Sequence, residues 1–139
     1  MAYHIDQLEP GMSASTSKTV TETDIILFAG ISTDVNPAHL DEEYCKGTMF
    51  GTRIAHGMLT MGVGAGFASA WSGDPGAVTR YAVRLSQPAI VSATEGCDIE
   101  FSGRIKSLDP ETRSGVVIVG AKSDGRKIFG LATLDVRFR

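Results

Sequence analysis

Cysteine is scarce in this chain of 139 residues. Cys45 and Cys97 are the only two, too few for a disulfide framework, and neither stands in a CxxC pair or a Cys/His zinc spacing. A reduced, cytoplasmic protein is the expectation. An excess of positive charge is also missing. With 13 Lys and Arg against 16 Asp and Glu, the net charge is −3, which argues against a general nucleic-acid or anionic-membrane surface. No apolar run approaches the roughly 20 residues of a membrane span. Met1-Ala2-Tyr3-His4-Ile5-Asp6 lacks the basic-then-apolar order of a signal peptide. Repeats, low-complexity tracts and linkers are absent too. What remains, 42% hydrophobic and 21% charged residues, is the composition of an ordinary globular protein. The length fits one domain over residues 1–139, large enough for a real core.

The hydrophobic pattern divides the chain in two. Residues before Gly11 read as a lead-in arm with His4 at the surface, and 12–20, rich in Ser and Thr, as a strand. Thr21-Glu22-Thr23-Asp24 is a helix start with a capping residue and first-turn acids. Ile25, Ile26, Leu27 and Phe28 then predict a short apolar helix packed onto the body. Asp41 to Tyr44 opens a second short helix that Gly47 ends. Residues 57–71 form the longest helical candidate, and an odd one. Gly57, Gly62, Gly64 and Gly66 would each weaken an isolated helix by roughly 1 kcal/mol. Small residues there make sense if a curved sheet approaches the helix backbone closely. Gly62 and Gly66 share one side, and Met58, Met61, Phe67 and Trp71 supply bulk elsewhere. After the turn at Gly73-Asp74-Pro75-Gly76 the period becomes two. Strands are expected at 80–85, 98–108, 116–121 and 127–138, joined by hairpin turns and therefore antiparallel. The fold class is α+β, an antiparallel sheet wrapped around a long central helix. Its uncovered edges call for a dimer.

One polar stretch stands out against this scaffold. Asp34-Val35-Asn36-Pro37-Ala38-His39 brings an acid, an amide and an imidazole within six residues, where Pro37 prevents one regular helix. Taken alone it reads equally as a turn, since Asp and Asn bond nearby backbone. Ile54-Ala55-His56-Gly57 changes that balance by placing a glycine amide at the start of the long helix, where free N–H groups and the helix field suit an oxyanion. Acid, imidazole and oxyanion donor together suit proton transfer next to a thioester carbonyl. The run Gly62-Val63-Gly64-Ala65-Gly66 is no nucleotide loop, because no strand precedes it and its spacing is wrong.

Phe28-x3-Ser32-x-Asp34-x-Asn36-Pro37-x-His39 followed by Ile54-Ala55-His56-Gly57-Met58-Leu59 resembles the hydratase-2 motif of the MaoC-like (R)-specific enoyl-thioester hydratases and dehydratases. Further stretches, 55–62, 71–79, 103–111 and 127–130, are similar to HadB-like subunits of (3R)-hydroxyacyl-ACP dehydratases within that family. The resemblance implies a hotdog fold and reversible syn elimination of water from a (3R)-3-hydroxyacyl thioester. It implies Asp34 and His39 as the catalytic dyad, Asn36 orienting the dyad or its water, and the Gly57 N–H holding the thioester oxygen. His56, Met58, Arg53 and Arg84 are the candidates for substrate contact, Arg53, Arg84 and Arg80 through the carrier's phosphates. His56 otherwise reads as a packed or hydrogen-bonded residue rather than a base, and Met58 and Met61 as core or as lining of an acyl tunnel. No metal or redox cofactor is expected. The substrate rides on the phosphopantetheine of ACP or CoA, and the partner is a second hotdog chain, identical or related. Two departures stand out. Thr33 occupies the position before the acid that is commonly Gly, and Ala93-Thr94-Glu95-Gly96 replaces the usual Gly-Asp after the first strand of the meander. A homodimeric (R)-specific enoyl-CoA hydratase, a non-catalytic acyl-binding hotdog subunit and a hotdog thioesterase are the alternatives.

Overall fold

A computed structural model describes residues 5–138; His4, expected at the surface, lies outside them. Strand β1 (Ser13–Val20) runs into helix α1 (Glu22–Ser32), which starts in a capping box: Thr21 Oγ1 accepts from the Asp24 N–H, and the Asp24 carboxylate accepts from the Thr21 N–H. Two short helices follow, α2 (Pro37–Leu40) and α3 (Glu42–Lys46), and then the long α4 (Gly57–Ser72). The rest is sheet: β2 (Val78–Leu85), β3 (Cys97–Asp109), β4 (Ser114–Ser123), a two-residue β5 (Arg126–Lys127) and β6 (Phe129–Arg137).

The strands pair antiparallel in the order β1-β3-β4-β6-β2, with β5 beside β4. Alternation along β3 turns Cys97, Ile99, Phe101, Gly103 and Ile105 inward. Phe101 and Ile99 are fully buried, each contributing about 1.5–3 kcal/mol by leaving water. Helix α4 lies on this face, and its contact stripe is Thr60, Gly64 and Ala68, one turn apart. At Gly64 a Cβ would stand 2.7 Å from the Tyr81 hydroxyl and 3.2 Å from the Phe129 ring. Only glycine admits the sheet that close. The Trp71 ring rests in the same way on Gly103 of β3, where a Cβ would come within 2.8 Å.

Several expectations need correction. The glycines that meet the sheet are not Gly62 and Gly66, which have open space beside them; the helix buries one face and leaves the other uncovered. Met58 is exposed rather than packed. Helix α1 runs to Ser32, and only Ile25 and Ala29 are buried along it. Ile26, Leu27 and Ile31 point to solvent, because three consecutive apolar residues cannot all face one side of a helix. Pro37 does not merely interrupt the polar stretch. It opens α2, where its missing N–H costs nothing and its fixed φ fits the first turn. The strand expected over 127–138 is divided at Ile128 into β5 and β6.

Arg53 was expected on the carrier-binding surface, and the fold puts it elsewhere. It is 5% exposed. Its Nη1 donates to Glu22 Oε1 of α1 at 2.7 Å, and its Nε donates to Glu42 Oε2 of α3 at 3.1 Å. The guanidinium fork thus ties the helices on either side of the polar stretch to the segment leading into α4. Thr33, the residue that replaces the family's usual Gly, ends α1 with φ 63° and ψ 10° while its N–H bonds to Ala29 O. This is the left-handed region, where a β-branched residue is strained by about 1–2 kcal/mol.

Two measurements follow from these contacts. The hydrogen bond and the charge of Arg53 hold the Glu22 carboxyl below the usual carboxylate range. A lowered folded-state value means stability that is present above the unfolded value and lost as pH falls through the folded one. Thermal melts of Glu22→Gln between neutral pH and about pH 3 will lose less Tm on acidification than the native chain does. Thr33→Gly relieves the left-handed strain and will raise unfolding stability by about 1 kcal/mol, read from urea titration.

Candidate active site

The polar stretch is built by local capping. Asn36 Oδ1 accepts from the Ala38 N–H at 3.0 Å and caps α2, the helix that carries His39. Asp34 Oδ1 accepts from the Asn36 N–H at 3.3 Å, an Asx turn that fixes the acid's side chain to its own loop. Asp41 caps α3 by accepting from the Tyr44 N–H. Behind the loop Cys45 is buried, its Sγ 3.3 Å from Ala38 O. Burial pushes this thiol's pKa up, so it packs, as expected.

The segment before α4 then meets α2. Ile54 N–H donates to Ala38 O at 3.1 Å, and Ile54 O accepts from His39 Nδ1 at 2.7 Å. A carbonyl only accepts, so Nδ1 carries a proton, and in the neutral ring His39 presents Nε2 as a lone pair. That nitrogen lies 3.8 Å from Asp34 Oδ2. Two acceptors face one another across a gap too long for a direct bond. A water that donates one O–H to each, at about 2.8 Å, fits it. The His39 side chain is mostly covered and the Asp34 carboxylate is 53% exposed, so the gap opens outward.

His39 also lines a cavity of about 270 Å³, together with Gly57, Thr60, Leu85, Pro88 and Ile128 among others. Gly57 is the first residue of α4. The Thr60 hydroxyl bonds to Gly57 O, and the His56 side chain does not cap the helix. Among the described residues nothing accepts from the Gly57 N–H, so a free amide and the helix field meet His39 at one cavity. Leu85 leans over it: a Cβ on Gly57 would strike Leu85 Cδ1 at 2.3 Å.

The expected site residues therefore separate. Asp34, Asn36 and His39 stand together, and Gly57 joins them through the cavity. Arg53 leaves the group, for the ion-pair reason given above. His56 is not at the cavity wall either. It is 1% exposed and lies behind the loop, so direct substrate contact is excluded for it. Met58 is 62% exposed on the first turn of α4. Arg84 is exposed at the end of β2, next to Leu85, with no ion pair among the described residues. Arg80 faces Asp135 at 3.9 Å. The 85–89 segment that closes the cavity was not anticipated. Its Ser86-Gln87-Pro88 sequence reads only as a strand end, and no local pattern marks it as a wall.

Asp34, His39 and His56 bring three possible ligand atoms within 4.8 Å of one another. They make a poor metal site. His39 Nδ1 and His56 Nε2 are engaged with carbonyls, and the two rings are stacked at 26°. The remaining lone pairs lie in nearly parallel planes, and converging them on one ion would break the stack.

Comparison with known proteins places this geometry. The sequence profile of the MaoC like domain matches residues 6–124. An (R)-specific enoyl-CoA hydratase of Rhodospirillum rubrum is 40% identical over 108 residues, 74% of this chain and 72% of that protein. A solved MaoC-like dehydratase superposes with a TM-score of 0.95 at 58% identity, over 99% of this chain and 43% of the longer one, so this chain spans less than half of that relative. The (R)-hydratase from A. caviae involved in PHA biosynthesis shares the hotdog fold, with a TM-score of 0.85 at 22% identity over 95% of this chain and 98% of its own. The chain belongs to the MaoC-like dehydratase family and is an enzyme of the hydro-lyase class.

Proposed function

We propose that this chain is an (R)-specific enoyl-thioester hydratase, adding water reversibly to a trans-2-enoyl thioester to give the (3R)-3-hydroxyacyl thioester. The observation that carries the reading is the 3.8 Å gap between His39 Nε2 and Asp34 Oδ2, beside a cavity that also holds the Gly57 amide. A water in the gap gives one proton to the dyad as its oxygen bonds to Cβ. Electron density moves onto the thioester oxygen, where the Gly57 N–H stabilises the developing charge. The dyad then returns a proton to Cα on the same face. Asn36 holds the loop in shape by capping α2. Apart from the water and the substrate, the groups in this scheme are side chains and a backbone amide of the chain itself.

Carrier and assembly are the finer parts of the proposal. The 40% identical relative is named for CoA thioesters, which supports CoA here. The HadB-like stretches at 55–62 and 103–111 support a second reading, dehydration of acyl-ACP in mycolic-acid-type elongation, with the same dyad. On either carrier, the exposed Arg84, next in sequence to the cavity-lining Leu85, is a candidate cation for phosphate. Exposed Ile31, Val35 and Met58 on the segments that carry the dyad and the Gly57 amide, and the open outer edge of β2, support a second hotdog chain, identical or related, covering this face. The two buried free thiols accord with a reducing, cytoplasmic setting.

Hydration of trans-2-butenoyl-CoA, followed by loss of the enoyl-thioester absorbance, tests the proposal. Asp34→Asn and His39→Gln, checked for native circular dichroism, will each lose at least about 10²-fold in kcat. Retention of native kcat in either folded variant overturns the dyad, and thioester cleavage without hydration overturns the reaction class. Assaying the same enoyl chain on CoA and on ACP, alone and with a candidate hotdog partner, decides the carrier.

A further inference from the structure

We propose that His56 is a positioning residue that holds both members of the dyad with one side chain; this rests on the dyad reading above. His56 is the residue before α4, with extended backbone (φ −57°, ψ 134°) and no side-chain bond to the helix it precedes. Its ring turns away from the helix start, which leaves the Gly57 amide free, and reaches under the Asp34 loop. There Nε2 donates to Asp34 O at 2.9 Å. The same ring stacks on His39, with centroids 3.8 Å apart and planes at 26°. The edge contact with Phe28, at 4.8 Å and 60°, closes the sandwich from α1.

The environment leaves His56 no other role. At 1% exposure it does not reach solvent or the cavity wall, so it neither binds substrate nor exchanges protons with it. Nε2 is committed to a carbonyl, which fixes the Nε2–H tautomer. Nδ1 is buried with no partner among the described residues, and a second proton there would be a buried donor bonded to nothing. His56 is therefore a neutral, oriented ring. The Asp34 loop needs such a support because its other fixings are local: the Asn36 N–H on Oδ1 and the strained Thr33 just before it. His39 needs one because its single ring hydrogen bond, to Ile54 O, fixes one atom and leaves rotation about that bond free. Stacking fixes the plane. When His39 takes up a proton during turnover, the ring face beneath it is neutral and aromatic, a surface that accommodates a cation. The charged side chain set against His39 is the Asp34 carboxylate, on the side where the water belongs.

His56→Phe keeps the stack and removes the donor, His56→Gln keeps a donor and removes the stack, and His56→Ala removes both. Kinetics on trans-2-butenoyl-CoA will show kcat falling about tenfold in the first two and about 10²-fold in the third, with KM little changed, because small displacements of reacting groups cost that much. Nitrogen NMR of the imidazoles will show the single Nδ1–H tautomer of His39 becoming a mixture in His56→Gln and staying intact in His56→Phe, a signature that loss of stability alone does not produce. In the unaltered enzyme the same spectrum will report neutral His56 with its proton on Nε2. Native kcat in folded His56→Phe and His56→Gln, with His39 signals unchanged in His56→Gln, overturns the proposal, and so does an Nδ1–H or charged His56 in the unaltered enzyme, whether or not the variants fold. If Asp34→Asn remains active, the dyad reading itself has failed. If Asp34→Asn is dead while the His56 variants behave as native, only this inference falls.

Discussion

The site depends on the backbone of one residue, Ile54. Its N–H is held by Ala38 O and its carbonyl by His39 Nδ1, so the two peptide groups flanking one residue set both the distance and the tautomer of the imidazole. The flanking residues fasten the same segment to the other side of the cavity, Ala55 N–H to Ala89 O and Val91 N–H to Arg53 O. Two stretches remote in sequence are thereby clamped onto one strip of backbone. Helix α4 starts two residues beyond that strip, and the Gly57 amide is delivered to the cavity as a consequence. Backbone groups must find partners when buried. Here that requirement places the functional atoms.

Charge is arranged so that the site stays open to water while its frame stays closed. Arg53 is held between Glu22 and Glu42 at the rim of α1 and α3, which commits the cation to that pair rather than to Asp34. The dyad itself is left as two acceptors without a proton between them. Such a pair is incomplete until a donor enters, and water is the smallest donor that satisfies both. A direct Asp–His hydrogen bond would have filled the gap that the reaction needs.

The isolated chain leaves much apolar surface around this gap. Ile31, on the last turn of α1, is 83% exposed, and Val35 and Met58 stand on the same loop and the same helix start as the dyad and the oxyanion amide. Exposed apolar groups concentrated around a polar centre are costly in water unless something covers them. A second chain there would narrow access to the dyad, lower the local dielectric and strengthen the electrostatic terms on which the chemistry draws.

Much of this was legible in the sequence, for local reasons. The capping pattern at Thr21–Asp24, the alternation along Ile99, Phe101, Gly103 and Ile105, and the turn residues that separate the strands are written in neighbouring side chains. The grouping of Asp34, Asn36 and His39 lies within one turn of chain. Arg53 was misread because an arginine looks the same in sequence whether it meets solvent or two glutamates. That His56 packs and hydrogen-bonds rather than touching substrate fits its non-base reading, but its partners, a carbonyl 22 residues away and a ring from another helix, leave no trace in spacing. The 85–89 wall and the choice of Gly64 over Gly62 and Gly66 as the contact glycine depend on where β2 and β6 pass under α4. Short-range propensity and periodicity determined the elements and the reactive residue types. The direction each side chain takes was decided only by tertiary packing, because buried polar groups take whatever partner the folded chain brings within reach.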